Sequence, residues 1–91
     1  MSSQFEAAAS QSPTGLGRLI GESRLAVLQA SRRPRTTSEL ADECFMSTPS
    51  ASRHAAVLRD AGLIMSTRRG QAVVHVVTQL GNLLLCGFVG Q

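Results

Sequence analysis

Apolar and polar positions along the chain change period twice. From Leu16 to Ser31, the apolar residues Leu16, Leu19, Ile20, Val27 and Ala30 fall on one helical face, and Arg18, Glu22 and Gln29 fall on the other. This spacing predicts helix one, with Gly21 as a candidate interruption. Leu25 projects among the polar set, which points to a contact on the helix's second side, a partner subunit being one candidate. Arg32-Arg33-Pro34 ends the helix, because proline offers no amide donor and keeps its predecessor out of helical space. Thr36-Thr37-Ser38-Glu39 then supplies a capping box for helix two, from about Thr37 to Cys44. Ser47 caps helix three, Pro49 sits in its first turn where a missing amide costs least, and Gly62 suits the left-handed residue beyond its end at Asp60 or Ala61.

Beyond Gly62 the period shortens. Leu63 to Thr67 and Ala72 to Val77 are strand-like runs around Arg68-Arg69-Gly70-Gln71, a β-hairpin with a basic tip. Thr78 caps a last helix through Leu80, Leu83, Leu84 and on toward Phe88, apolar enough to need cover from another chain or from further sequence. The predicted order is α-α-α-β-β-α: mainly α with a small hairpin.

A length of 91 residues suits one small domain. Residues 1–15 are polar and small, and read as a flexible lead-in to a domain over 16–91. With three Phe and no Trp or Tyr, the core must be built from Leu, Val, Ile and Ala, and the exposed aromatics of an RNA-binding sheet are missing. The apolar run from Leu83 to Val89 is far short of the ~20 residues a membrane span requires. No secretory pattern opens the chain, so a cytoplasmic location is the expectation.

Charge is unevenly placed. Residues 1–45 carry five Arg and five acids, whereas residues 46–91 carry Arg53, Arg59, Arg68 and Arg69 against Asp60 alone. Every cation is a guanidinium, the planar fork that suits phosphate oxygens and guanine edges. Cys44 and Cys86 are too few for a disulfide scaffold and read as small buried apolar groups. His54 falls on the core side of helix three and His75 lies among valines; both read as structural, and a partly exposed His75 would be open to metal. Asp42 and Glu43 point to different sides of helix two and cannot form an acid/base pair. There is no phosphate loop, zinc-ligand spacing or catalytic triad pattern, so no enzyme activity, metal or cofactor is expected.

Two short helices joined by a tight turn, the second opening on small polar residues and followed by a basic hairpin, fit a major-groove reader with a wing. On a helical wheel, Ala51, His54, Ala55 and Leu58 face the core, while Pro49, Ser52, Arg53 and Ala56 face solvent. Ser47, Thr48 and Ser50 lie at the positive end of that helix, where hydroxyls and free amides favour phosphate.

The stretches SRLAVLQA, TTSELADECFMSTPSASRHAAVLRDAGLI and RRGQAVVHVVT resemble the ArsR/SmtB winged helix-turn-helix family over about residues 16–85. The resemblance implies a dimeric regulator, a repressor, that presents two recognition helices (residues 47–61) to a double-stranded, pseudo-palindromic operator. By position, the DNA-binding residues it implies are Thr37, Ser47, Thr48, Pro49, Ser50, Ser52 and Arg53, with Arg68, Arg69 and Gln71 on the wing. The expected dimer forms through helix one and the C-terminal helix. Phe45 stands in a turn where such sequences usually have Gly or Asn, so the turn is either anchored by a buried ring or distorted. The cysteine pair of arsenic and cadmium sensors is absent from the start of helix two. Two other readings stand beside this one: a winged-helix protein-interaction module of a larger regulator, and a metal- or thiol-responsive repressor using Cys44 or Cys86.

Overall fold

The computed structural model describes residues 20–89. The lead-in over 1–15, and the positions Leu16, Arg18 and Leu19 assigned to helix one, lie outside the described residues. The elements in chain order are α1 (Glu22–Ala30), β1 (Arg35–Thr36), α2 (Thr37–Glu43), α3 (Thr48–Asp60), β2 (Ile64–Arg69), β3 (Ala72–Val77) and α4 (Gln79–Val89).

Gly21, at φ 95, breaks the helical path, so Ile20 and the residues from Glu22 onward do not share one register. The inward face of α1 carries Leu25, Val27 and Leu28, all buried in the chain's own core. The contact expected on the second side of the helix is therefore made by the chain's own core, and not by a partner subunit, the candidate named for it. The end of α1 is pinned to the sheet by Ser31. Its hydroxyl donates to the Val27 carbonyl at 2.8 Å, and its own carbonyl accepts the Val77 amide at 2.7 Å.

The capping box at α2 forms as the residue types dictate. Thr36 Oγ1 accepts the Glu39 amide at 3.1 Å and the Thr36 amide donates to Glu39 Oε1 at 2.8 Å. Thr36 has a second role that local pattern did not reveal. With Arg35 it forms a short strand, and the sheet is three-stranded and antiparallel in the order β1-β3-β2, Arg35 opposite His75 and Thr36 opposite Val74. The hairpin is also longer than expected. Arg68 and Arg69 belong to β2, opposite Val73 and Ala72, and the loop is only Gly70-Gln71, with Gly70 at φ 62 in the position that a type II′ turn reserves for glycine.

Both α2 and α3 end in the same two-bond motif, in which a left-handed residue lets two amides reach back to the last turn. At α3, Gly62 is that residue, at φ 79; its amide donates to the Arg59 carbonyl and the Leu63 amide to the Leu58 carbonyl, each at 2.9 Å. Thr78 then ties α4 to this corner. Its hydroxyl donates to the Gly62 carbonyl at 2.7 Å and accepts the Gly81 amide at 3.1 Å, while its amide donates to the Leu63 carbonyl at 3.0 Å.

One core joins these elements: Leu25, Val27 and Leu28 of α1, Leu40 and Ala41 of α2, Ala51, Ala55 and Leu58 of α3, Leu63 and Ile64 at the start of β2, and Leu85 of α4. Because Leu85 turns inward, Cys86 is rotated about 100° around the helix. Cys86 is exposed, not buried as its residue type suggested. Cys44, at the end of α2, is half-buried. The architecture is a winged helix-turn-helix, and no helix among the described residues is long and apolar enough to cross a membrane.

Candidate nucleic-acid interface

Helix α3 packs on α1, α2 and β2, and its inward face is Ala51, Ala55 and Leu58. What remains outward over its first half is small. Ser47, Thr48, Pro49, Ser52 and Arg53 are exposed, and Ser50, His54 and Ala56 are half-buried. Pro49 is accommodated because a first-turn amide has no carbonyl partner within the helix.

The start of α3 is organised by its own hydroxyls. Ser47 Oγ accepts the Ser50 amide at 3.2 Å and donates to Ser50 Oγ at 3.0 Å. Arg53 Nη2, one turn on, donates to Ser50 Oγ at 3.3 Å. The guanidinium is thereby folded along the exposed face by one contact, out of the five donors it carries. Ser47, Ser50 and Arg53 thus come together, as their i, i+3 spacing requires. His54 lies close enough to Arg24 and Arg53 to feel both charges; partial burial, followed by these two cations, lowers its pKa from the usual 6.5.

The wing extends from the same body. Along β2, Ile64, Ser66 and Arg68 lie on the face that also carries Val73, His75 and Val77 of β3, whereas Met65, Thr67 and Arg69 lie on the other. Ile64 and His75 are buried, so Arg68 emerges on the helix side of the hairpin and Arg69 on the outer side. Both arginines and Gln71 are exposed.

Thr37 differs from the other predicted contact residues. It is half-buried, and its hydroxyl is 2.8 Å from Nε2 of His75, whose Nδ1 is 2.8 Å from Ser66 Oγ. His75 is itself only 3% exposed, and with both ring nitrogens engaged it is a structural joint between α2 and the two wing strands. Burial first, and Arg59 second, lower its pKa from 6.5.

The turn between α2 and α3 settles the question raised by Phe45. The ring is not an anchor, being 95% exposed, and the backbone is left-handed at φ 54. Phe45 occupies the position in α2's terminal motif that Gly62 occupies in α3's, with its amide donating to the Asp42 carbonyl at 3.3 Å and the Met46 amide to the Ala41 carbonyl at 2.9 Å. A side chain there costs about 1 kcal/mol or more relative to glycine. Residue type alone favoured burial, and only the left-handed requirement of the turn could have signalled otherwise.

Among the described residues no group of three or more His, Cys, Asp or Glu side chains is placed to hold a metal ion. Burial, with Glu43 beside it, raises the Cys44 thiol pKa above its usual value, which disfavours the thiolate.

Comparison with known proteins agrees with this geometry. A family profile described as a helix-turn-helix domain matches residues 19–67. No curated protein matches the chain by sequence. Among solved structures, the transcriptional regulator BldR from Sulfolobus solfataricus superposes with a TM-score of 0.71 at 23% identity, over 79% of this chain and 56% of that one. An ArsR family transcriptional regulator is similar at 34% identity and a TM-score of 0.57, over 67% of this chain and 64% of that one. This chain therefore spans less than two thirds of the length of both. A predicted DNA-binding transcriptional regulator from E. coli matches at 26% identity and a TM-score of 0.63, over 93% of each chain. The profile covers more than half of the sequence, and the chain belongs to the helix-turn-helix domain family, in its winged form and of the ArsR/SmtB type.

Proposed function

We propose that this protein is a sequence-specific double-stranded DNA-binding transcriptional regulator, acting as a repressor in the cytoplasm, with α3 in the major groove and the wing on flanking phosphates. The observation that carries this reading is the division of α3. Ala51, Ala55 and Leu58 fasten it to the core, while Ser47, Thr48, Pro49 and Ser52 leave its outer backbone bare enough to approach base edges. Arg53 is the one long donor on that face and takes a base edge or a phosphate. Arg68 and Arg69, on opposite faces of the hairpin, suit phosphates on either side of the groove over which the wing lies. Gln71, in the loop between the strands, completes the wing's contact. Thr37 supports the site from behind, through His75.

One module of this size reads too few bases, so two copies are required on half-sites about one helical turn apart. They associate through helix one and α4. Leu80 and Leu83, 54% and 61% exposed on α4, supply apolar surface for that contact. The regulator names carried by the structural relatives support the same reading.

The test is to recover duplex fragments that co-purify with the protein, define the shared site, and compare wild type with Arg53→Ala on it at fixed salt. A loss of about 1–3 kcal/mol is expected for a base contact, and a loss below about 0.5 kcal/mol rejects the role of Arg53.

A further inference from the structure

The chain uses one terminal motif twice and fills its left-handed position differently each time. Gly62 meets the requirement after α3, at φ 79, where the absence of a Cβ makes it cheap. After α2 the same position, at φ 54, holds a phenylalanine. Strain of this kind persists where something else over-determines it, usually packing of the side chain concerned. Packing within the chain does not offset it here, because the ring is 95% exposed and an apolar group of that size is left in water. Phe45 is thus unfavourable twice over in the free protein.

Its place in the fold indicates what the ring is for. Phe45 lies two residues before Ser47, so its Cα is within about 7 Å of the residue that opens α3. That end of α3 carries the exposed Ser47, Thr48, Pro49 and Arg53. The surroundings do not resemble a protein-docking patch. Asp42, Glu43, Ser47 and Thr48 are exposed polar neighbours in sequence, and among the described residues the other exposed large apolar side chains, Val57, Met65, Leu80 and Leu83, lie on α3, β2 and α4. A single ring among polar groups suits a surface that is itself apolar only in islands. Duplex DNA is such a surface, with thymine methyls and deoxyribose edges set among polar and charged groups. Asp42, whose carbonyl accepts the Phe45 amide, is exposed and adds a negative charge to the same turn, which favours these apolar edges over a phosphate as the ring's target.

We infer that Phe45 is a DNA-contacting residue, its exposed ring seated against the apolar edge of a nucleotide, a thymine 5-methyl or a deoxyribose, at the rim of the half-site that α3 reads. This rests on the DNA-binding reading above, which assigns no role to Phe45.

The full chain is titrated with its operator duplex at fixed salt as wild type, Phe45→Gly, Phe45→Asn and Phe45→Tyr. Glycine and asparagine both tolerate the left-handed backbone, so these variants keep the fold and melt at or above the wild-type temperature. The expected result is an operator affinity about tenfold lower for Gly and Asn, as for loss of a partly buried aromatic group, with Tyr within about twofold of wild type. The salt dependence is unchanged, because no phosphate contact is removed. Replacing each thymine singly by deoxyuridine names the source: a position whose substitution weakens wild type but not Phe45→Gly identifies the methyl, and the lack of such a position identifies the sugar. Wild-type affinity in Phe45→Gly overturns the inference and leaves the DNA-binding reading standing. A wild-type protein with no salt-dependent affinity for any duplex overturns both.

Discussion

Thr37, the first residue of α2, and His75, in the middle of β3, meet at 2.8 Å through a threonine hydroxyl and an imidazole Nε2, so the helix-turn-helix and the wing share a polar joint inside the fold. Ser66 on β2 closes it from the other side, at 2.8 Å from Nδ1. The angle between wing and helices is therefore held by three side chains from three elements, and any change at His75 acts on the geometry of the proposed interface.

That joint makes stability depend on pH. Burial, and then Arg59, place the native pKa of His75 below the value of 6.5 for an unburied imidazole. Below 6.5 the unfolded chain takes up a proton that the native chain refuses, so stability falls as pH drops and the loss levels off once the native pKa is passed. Urea unfolding from about pH 7.5 to 5.5 is expected to show this fall, and His75→Leu is expected to flatten it. Some slope remains in the variant, since His54 is shifted in the same direction. The variant is also about 2 kcal/mol less stable at neutral pH, because two hydroxyls lose their partner. An unchanged pH slope in His75→Leu would remove the assigned role.

Gly81 is a second point where one atom decides the packing. It is buried on α4, and a Cβ there would overlap the Leu63 carbonyl oxygen and come within 2.6 Å of Val77 Cγ2. Replacing a helical glycine by alanine ordinarily stabilises by up to about 1 kcal/mol. Here the close approach of helix to backbone reverses the sign, and Gly81→Ala is expected to lower stability by about 2 kcal/mol in thermal or denaturant unfolding. A neutral or stabilising result would show that α4 sits further from Leu63 than described.

Several of these features were legible in the sequence and others were not, for a consistent reason. The Thr36–Glu39 box, the Ser47 cap with Pro49 and the stop at Gly62 depend on partners three or four residues away, so residue type and spacing define them. The strand Arg35–Thr36 contains two residues and exists only because β3 lies beside it, and no local period could announce it. Arg68 and Arg69 have no strong strand preference of their own and are drawn into β2 by pairing with Val73 and Ala72 across a two-residue turn. Leu25 lies about 160° from Val27 around the helix, so it reads as outward unless Leu28, which sits between them, is counted in the apolar face. At the interface, the bare outer face of α3 followed from periodicity, while the exposure of Phe45 and the burial of Thr37 against His75 required the three-dimensional arrangement.

The wing arginines make a quantitative prediction. Each phosphate neutralised releases counterions, so the slope of log affinity against log salt changes by about 0.9 per contact on duplex DNA. Arg68→Ala and Arg69→Ala are each expected to reduce the slope by about that amount, and the double variant by about twice as much, because the two side chains leave opposite faces of the hairpin and act independently. A slope unchanged in the double variant would mean that the wing does not touch the phosphate backbone.

The account depends most on the outer face of α3 entering a groove. Ser52 is exposed on that face and away from Ala51, Ala55 and Leu58, so Ser52→Trp leaves the core intact and fills the space that the bases would occupy. The deciding measurement is the affinity of this variant for the operator duplex at fixed salt, alongside its thermal unfolding. Unfolding close to wild type with affinity reduced at least about a hundredfold is the predicted result, whereas normal unfolding with affinity within about twofold of wild type would contradict the central claim.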